Sequence, residues 1–258
     1  MIKFGIIFLI GNLVIANNIN QFHTWLTGQN NFDRLIRYTE YNQGNQDEPL
    51  DNATLKYIFE KFSQALPNEI KIPNFKFDGI DGNSIILYVS FSESVIVNIT
   101  KFIVDQVNLS VFESNVPQSL EVWFTFPSFW VTGYYELDVS APDFHIYGTG
   151  PFNITFNNVT LYSKGNFSTT KRNSLNMTDL SFLININSTN VNLENILGGG
   201  ESGSDFNNAL SDLLPTIINN YQIKISEFVK EYAIPLIDIC LRFFSVPDLI
   251  MFIKEFAY

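Results

Sequence analysis

Few residues of the chain carry the side chains that catalysis or metal binding needs. There are two histidines, His23 and His145, and one cysteine, Cys240. His23 lies in a segment without a clear pattern, His145 in a predicted strand, and Cys240 on the apolar face of a predicted helix. A metal site needs several imidazole, thiolate or carboxylate ligands close together. We therefore expect no metal site, and we assign these three residues to the surface or the core.

Two further patterns have a simpler explanation than catalysis. Glu136 and Asp138 lie two residues apart on one face of a predicted strand, a pairing that a glycosidase can use, but a solvated strand edge is the better interpretation. The glycines from Gly198 to Gly200 are followed by no Lys-Ser/Thr pair, so they predict a flexible linker rather than a phosphate-binding loop. The sequence has no G-x-S-x-G motif. We expect neither an enzyme nor a bound cofactor.

Aromatic side chains are abundant instead. The sequence has 25 phenylalanines, 11 tyrosines and 3 tryptophans, which make up 15% of its residues. A large aromatic core would explain this abundance. An apolar tunnel inside a curled sheet would explain it equally well, and such tunnels bind hydrophobic small molecules. The pattern alone leaves both interpretations open.

Most of the chain from Ile85 to about Leu193 alternates apolar and polar residues, which predicts consecutive β-strands. The segment 94–113 changes phase twice, which we interpret as bulges or bends in one long strand. In the segment 144–168 the alternation changes phase once, and a β-bulge at Asn157–Asn158 accounts for the change. The bulge turns one set of residues inward, Ile154, Phe156, Val159 and Leu161, and another outward, Asn153 and Asn158.

Helices are predicted before and after the strands. The first ends before Pro67 and has apolar residues at helical spacing behind a cap at Asp51 or Asn52. These apolar residues are Leu55, Ile58, Phe59 and Phe62. The second follows the loop 198–204 and runs from about Asp205 to Phe244. We expect Pro215 and Pro235 to break or kink it.

The length of the second helix constrains the fold. Forty helical residues span about 60 Å, and only an equally long sheet can cover them. The predicted fold class is therefore α+β: an elongated, highly curved antiparallel sheet wrapped around a long C-terminal helix, with a short N-terminal helix. We predict one domain over residues 17–258.

The N-terminus and the sequons predict a route through the secretory pathway. Residues 1–16 have Lys3, a short apolar run and a small residue at the end, as in a cleaved signal peptide. Eight Asn-X-Ser/Thr sequons predict glycosylation, and several fall on the polar face of a strand. They are Asn52, Asn98, Asn108, Asn153, Asn158, Asn166, Asn176 and Asn187. We expect a secreted, extracellular protein without an integral membrane span after signal cleavage.

Net charge narrows the possible partners. The formal charge is -11. Nucleic acid binding requires a basic face, and docking on anionic lipid requires basic clusters. We therefore expect no nucleic-acid partner. The acidity favours solubility.

Three stretches in the second half of the chain carry a family resemblance. They are VTGYYEL at 131–137, GTGPFNITFNNV at 148–159, and the passage into the terminal helix that contains LPTIINNY and VPDLI. In this order, over most of 70–250, the sequence resembles the juvenile-hormone-binding and takeout-like proteins of insects. The resemblance implies the tubular lipid-binding fold, with an internal tunnel for juvenile hormone or similar terpenoid and fatty ligands. The N-terminal cysteine pair usual in that family has no counterpart here.

We therefore predict a secreted, glycosylated carrier that binds a hydrophobic small molecule in an internal apolar tunnel. The alternative is a secreted structural or interaction glycoprotein with the same fold and a filled core. The predicted tunnel residues come from both helices and from two strands. They are Phe59, Phe62, Val122, Phe124, Phe126, Tyr135, Phe228 and Tyr232.

Overall fold

The computed structural model describes residues 52–65, 68–81, 85–111, 117–170 and 174–241. The predicted signal peptide, His23 and Asp51 lie outside the described residues, and the single domain over 17–258 stays a prediction. In chain order the elements are helix α1 (Asn52–Ala65), strands β1 (Glu69–Lys71), β2 (Phe75–Asp81), β3 (Ile85–Val97), β4 (Ile103–Val111), β5 (Pro117–Ala141), β6 (Phe144–Thr169) and β7 (Leu175–Leu193), a 3-10 turn (Ile196–Gly198) and helix α2 (Gly200–Leu241).

The seven strands form one antiparallel sheet around two long central strands. β5 and β6 have 25 and 26 residues and pair over Ser119–Ala141 and Phe144–Asn166. β3 and β4 lie one after the other along the edge of β5 that is opposite to β6. β1 and β2 pair with β3, and β7 pairs with β6. With a long C-terminal helix and a short N-terminal one, this architecture confirms the predicted fold class.

Three neighbouring strands change phase at the same level of the sheet. Pro127 in β5, Asn158 in β6 and Asn187 in β7 lie side by side and are exposed, and we name them the bend row. Phe156 and Val159, on the two sides of the row, are both buried although three positions apart, so the strand has one extra residue there. The predicted orientation is confirmed. The predicted β-bulge itself is wrong, because the pairing passes this level without a shift of register: all three strands carry the extra residue.

Two strands replace the single bent strand that the sequence predicts around Asn98. The turn at 98–102 separates β3 from β4, and in it the Lys101 N–H donates to the Asn98 carbonyl over 3.1 Å. The first predicted bulge is therefore wrong, because a tight turn changes the phase at that point. The second change of phase is a bulge, between Val104 and Gln106.

Helix α2 runs without interruption for 42 residues, so neither Pro215 nor Pro235 breaks it. A proline at 215 removes the N–H that would bond to the carbonyl of Ser211. The Thr189 hydroxyl in β7 donates to that carbonyl over 2.7 Å and satisfies it. The helix also begins at Gly200, inside the predicted flexible linker, because positive φ angles at 198–200 turn the chain directly into the helix.

Polar side chains of α2 cover the free edge of β7. Asn207 Oδ1 accepts from the Leu193 N–H over 3.0 Å, and Asn219 Oδ1 accepts from the Ile186 N–H over 2.9 Å. Both side-chain amides donate back to the carbonyl of the same strand residue. Three more α2 side chains accept from β7 backbone N–H groups, namely Ser211, Ser226 and Asp238. An edge strand otherwise leaves such groups unpaired.

Helix α1 covers the free edge of β4 with fewer bonds. Asn52 Oδ1 accepts from the Leu109 N–H over 2.9 Å, and the Lys56 ammonium donates to the Asp105 carbonyl over 3.4 Å. Leu55 points into the interior and is 5% exposed. The helix thus presents its apolar face to the sheet, as its spacing predicts.

Most buried apolar residues of the described part of the chain form two clusters. The larger cluster joins α2 to the strands through side chains such as Phe152, Ile196 and Ile218. The smaller one joins α1 to β4 and β5, and it consists of Leu55, Val104, Val107 and Val122. The candidate site lies between these two clusters.

Candidate functional site

A continuous series of phenylalanine rings connects the two buried clusters. The aromatic row, as we name it, consists of Phe102, Phe124, Phe126 and Phe129. Phe59 of α1 contacts one end of the row and Phe156 of β6 contacts the other. Successive ring centroids lie between 5.0 and 6.4 Å apart. Edge-to-face pairs such as Phe59–Phe124, at 85°, and the stacked pair Phe129–Phe156, at 16°, are favourable arrangements for aromatic rings.

The bend row keeps the rings of β5 on the inner face. Phe124 and Phe126 precede Pro127, and Phe129 follows it, so the extra residue at Pro127 leaves all three rings facing the clusters. The four rings of the aromatic row nevertheless stay only partly buried, whereas the neighbouring Val104 is completely buried. A close-packed core leaves little ring surface accessible. The inner face of the sheet therefore retains apolar surface along the aromatic row.

The other end of the interior is filled by close backbone contacts. We name Tyr135, Gly148, Glu194, Ile196 and Gly203 the glycine junction. A Cβ atom at Gly148 would lie 2.5 Å from the Tyr135 hydroxyl oxygen and 2.8 Å from the Ile196 Cα, and one at Gly203 would lie 2.7 Å from the Ile196 carbonyl oxygen. Only glycine fits at these two positions. The junction fixes the 3-10 turn and the start of α2 against the sheet.

Tyr135 is anchored by its hydroxyl in the glycine junction. The hydroxyl donates to the backbone carbonyl of Glu194 over 2.7 Å. Burial, followed by the nearby Glu194 carboxylate, raises the pKa of Tyr135 to about 12. The phenol is therefore neutral at physiological pH, and its proton stays in this bond.

The structure brings together four of the eight predicted tunnel residues. Phe59, Phe124 and Phe126 contact one another or the aromatic row, and Val122 is buried beneath them in the smaller cluster. Tyr135 lies apart, in the glycine junction. The side chains of Phe62, Phe228 and Tyr232 lie outside the described residues. All eight assignments stay predictions.

Three rings of the site were missed from the sequence, Phe102, Phe129 and Phe156. Phe156 was already predicted to face inward, although not to line the tunnel, and the phase of β5 beyond Pro127 was the signal for Phe129. Phe102 shares its phase with Val104, and this was the signal for its inward direction. Only the pairing of β3 and β4 with the same strand brings its ring within 5.1 Å of Phe124.

The candidate catalytic and metal-binding residues are either solvent-exposed or lie outside the described residues. Glu136 accepts from the Tyr88 hydroxyl over 2.9 Å, and Asp138 lies 3.0 Å from the His145 ring nitrogen, all on the outer face. The side chain of Cys240 lies outside the described residues. Across the described part of the chain, no group of three or more His, Cys, Asp or Glu side chains is placed to hold a metal ion. Neither described helix has an apolar stretch long enough to cross a membrane.

The sequons differ in exposure and in backbone conformation. Asn98 and Asn158 have positive φ angles of 66° and 49°, which asparagine tolerates better than most residues, so the backbone alone explains both. Four sequon asparagines are exposed, Asn52, Asn153, Asn158 and Asn187, and four are partly buried, Asn98, Asn108, Asn166 and Asn176. Glycosylation stays a prediction at all eight.

A curved antiparallel sheet, a long helix along its last strand and an aromatic interior define an α+β protein of the tubular type. The model of the haemolymph juvenile hormone binding protein (JHBP) family matches residues 68–251. The chain belongs to this family, which confirms the resemblance seen in the sequence. A search of curated protein sequences gave no significant match.

One solved structure supports the fold assignment. The crystal structure of Takeout 1 from Epiphyas postvittana is similar, with a TM-score of 0.54 and 15% identity over 76% of this chain and 94% of that one. At this identity the likeness shows a shared fold. A structure of a lipopolysaccharide binding protein also matches, with a TM-score of 0.35 and 15% identity over 72% of this chain and 37% of that one.

Proposed function

We propose that the protein is a secreted, glycosylated carrier that binds one hydrophobic small molecule inside the curved sheet. The aromatic row is the observation that supports this proposal best, because its inward-facing rings keep accessible apolar surface between two buried clusters. Membership of the haemolymph juvenile hormone binding protein family supports it as well. The proposed ligand is accordingly a juvenile-hormone-like terpenoid or a fatty molecule.

Burial of the ligand would supply most of the affinity. Each Å² of apolar surface removed from water contributes roughly 25 cal/mol, and an extended molecule along the aromatic row would cover both its own surface and the rings. We assign Phe59, Phe124 and Phe126 to direct contact. Phe62, Phe228 and Tyr232 are kept as proposed lining residues on the two helices. Val122 would lie behind the lining, and Tyr135 would close it at one end.

The first experiment is to identify what the protein carries. The chain is purified under native conditions from a eukaryotic secretory host and extracted with organic solvent, and the extract is analysed by mass spectrometry. We expect one isoprenoid or fatty molecule in a stoichiometric amount. Digestion of the same sample with an endoglycosidase tests glycosylation through the loss of mass.

Two variants connect the bound molecule to the aromatic row. Phe124→Trp enlarges one ring of the row, so the amount of extracted ligand should fall severalfold. Tyr134→Trp makes a similar change on the outer face, where Tyr134 is 52% exposed, and should leave the amount unchanged. Equal loading of both variants would refute the assignment of the row.

The glycine junction supports the alternative function. Its close contacts show that at least one end of the interior is filled, and a core filled throughout would suit a structural or interaction glycoprotein. An extract without ligand, repeated after incubation with juvenile-hormone analogues and long-chain fatty acids, would exclude the carrier. The outer face of the sheet would then be the candidate interaction surface.

A further inference from the structure

Among the residues that the structure describes, one buried hydroxyl lacks a hydrogen-bond partner. Four of the described polar or charged residues are buried, and three of them have a bond: Ser174 to the Thr170 hydroxyl, Asp238 to the Met177 N–H, and Ser94 to the Ser92 carbonyl through a long contact. The fourth is Thr100, which is 7% exposed. Within the part of the chain that the structure describes, nothing bonds to its hydroxyl. Buried polar groups are nearly always paired, so this one requires an explanation.

The position of Thr100 supplies that explanation. It lies in the turn at 98–102, and the flanking strand ends pair with Trp130 and Thr125 of β5. The turn therefore runs beside the part of β5 that carries Phe126 and Phe129. Within the turn, Ile99 packs on the larger cluster and Phe102 on the smaller one. Thr100 thus lies in the chain between a residue of each cluster, in the turn that runs beside the aromatic row.

The turn holds Thr100 in place through backbone bonds. The Asn98 N–H donates to the Asn68 carbonyl over 3.0 Å, and the Lys101 N–H donates to the Asn98 carbonyl over 3.1 Å. A threonine side chain has few rotamers. The backbone at Thr100 is therefore fixed before any ligand binds, and its hydroxyl has few positions available.

We propose that the Thr100 hydroxyl donates a hydrogen bond to an oxygen atom of the bound molecule, and so selects elongated apolar ligands that carry a carbonyl, ester or ether oxygen over pure hydrocarbons. This proposal rests on the carrier function proposed above. An oxygenated ligand satisfies the hydroxyl, whereas a hydrocarbon of the same length leaves it buried and unpaired. A site with an unpaired polar group discriminates strongly against ligands that cannot bond to it.

The test compares two ligands of equal length, 2-tridecanone and n-tridecane. Each displaces the fluorescent probe N-phenyl-1-naphthylamine from the purified full chain, and the midpoints give the two affinities. We expect the wild type to prefer the ketone by about fivefold or more, the effect of one hydrogen bond. Thr100→Val has nearly the same shape and no hydroxyl, so it should lose this preference and bind tridecane as well as the wild type does.

Two control variants separate the hydroxyl from the sequon that it completes. Thr100→Ser keeps both the hydroxyl and the sequon at Asn98, and it should keep the preference for the ketone. Asn98→Gly removes the sequon, tolerates the positive φ angle and leaves the hydroxyl in place, so it should keep the preference too. A preference that disappears in Asn98→Gly would assign the effect to the glycan and overturn the proposal.

Thermal unfolding of the ligand-free protein gives an independent test. Removing a buried hydroxyl that has no partner should leave the Tm of Thr100→Val equal to that of the wild type or raise it. A fall of several degrees, or failure to fold, would mean that the hydroxyl bonds within the protein and would overturn the proposal. Equal wild-type affinity for both ligands would overturn it as well, while the carrier function would stand. Failure of both ligands to bind would overturn both.

Discussion

The glycine junction and the aromatic row both involve strand β5 but are packed in opposite ways. At the junction, backbone atoms approach so closely that Gly148 and Gly203 have no room for a methyl group. Along the row, large rings meet edge to face and keep part of their surface accessible. The difference indicates that one end of the interior is closely packed, whereas the other keeps accessible apolar ring surface.

The largest expected difference comes from deleting one ring in each region. Phe152 is 2% exposed in the larger cluster, so Phe152→Ala should lower the free energy of unfolding by about 3–5 kcal/mol. Phe126→Ala removes the same ring from the aromatic row, where the lost contacts are fewer, and should cost half as much or less. Urea unfolding of the ligand-free variants measures both. Equal losses would show that the row is ordinary packed core.

Adding one methyl group in each region should have the next largest effect. Gly148→Ala forces apart the Tyr135 ring and the Ile196 backbone and should cost about 1–3 kcal/mol. Gly165 lies on β6 beyond the aromatic row, and a Cβ atom there would meet only the ends of the Met177 and Phe167 side chains, 3.1 and 3.3 Å away. Gly165→Ala should therefore change stability far less. The comparison fails if the two variants unfold at the same urea concentration.

Tyr135→Phe measures how firmly the glycine junction is held. The change leaves the Glu194 carbonyl without its donor, so near neutral pH it should cost about 1–2 kcal/mol. The pKa of Tyr135 is about 12 in the folded protein, above its ordinary value of 10.0, so folding favours the protonated phenol. Its contribution is complete below pH 10 and is lost as the pH rises towards 12.

Unfolding at several pH values tests this assignment. The difference in stability between the wild type and Tyr135→Phe should stay constant from pH 7 to about 9.5. It should shrink above pH 10, because the phenol of the unfolded chain then begins to ionise while that of the folded protein stays protonated. A difference that stays constant up to pH 12 would contradict the assignment of the raised pKa to this tyrosine.

The smallest effect is expected where α2 passes the far end of β7. Lys230 bonds to Asp179 there, and both side chains are nearly half exposed. Lys230, chiefly by hydrogen bonding, lowers the pKa of Asp179, so the pair stabilises the fold above the ordinary aspartate range and loses this effect as the pH falls through it. Lys230→Gln should change stability by less than about 1 kcal/mol, and the change should shrink in high salt. A larger loss of stability that does not depend on salt would show that this ion pair attaches α2 more firmly than expected.

The sequence predicted the parts of the fold that depend on local periodicity. Helix α1, the strand content of residues 85–193 and the outward side of Asn158 all follow from the spacing of apolar residues, whereas β1 and β2 were missed and β5 was predicted as two strands. The phase of β5 also identified Phe124 and Phe126 as inward residues. Such inferences need only the neighbouring positions of one strand or helix.

Features that depend on distant partners were missed. Pro215 was expected to disturb α2, but the Thr189 hydroxyl from another element satisfies the carbonyl that the proline leaves free. Asn207 and Asn219 look like ordinary surface residues of a helix until β7 lies beside them. Likewise, the bond from Tyr135 to Glu194 joins residues 59 positions apart.

The bend row constrains how this sequence can change. Pro127, Asn158 and Asn187 each add one residue at the same level of three adjacent strands. Deleting any one of them would shift the rest of its strand by one residue and turn its buried side chains towards water. Deleting all three together would restore the match between the strands. Insertions and deletions at this level are therefore expected to occur as a set during evolution, whereas single point substitutions remain free.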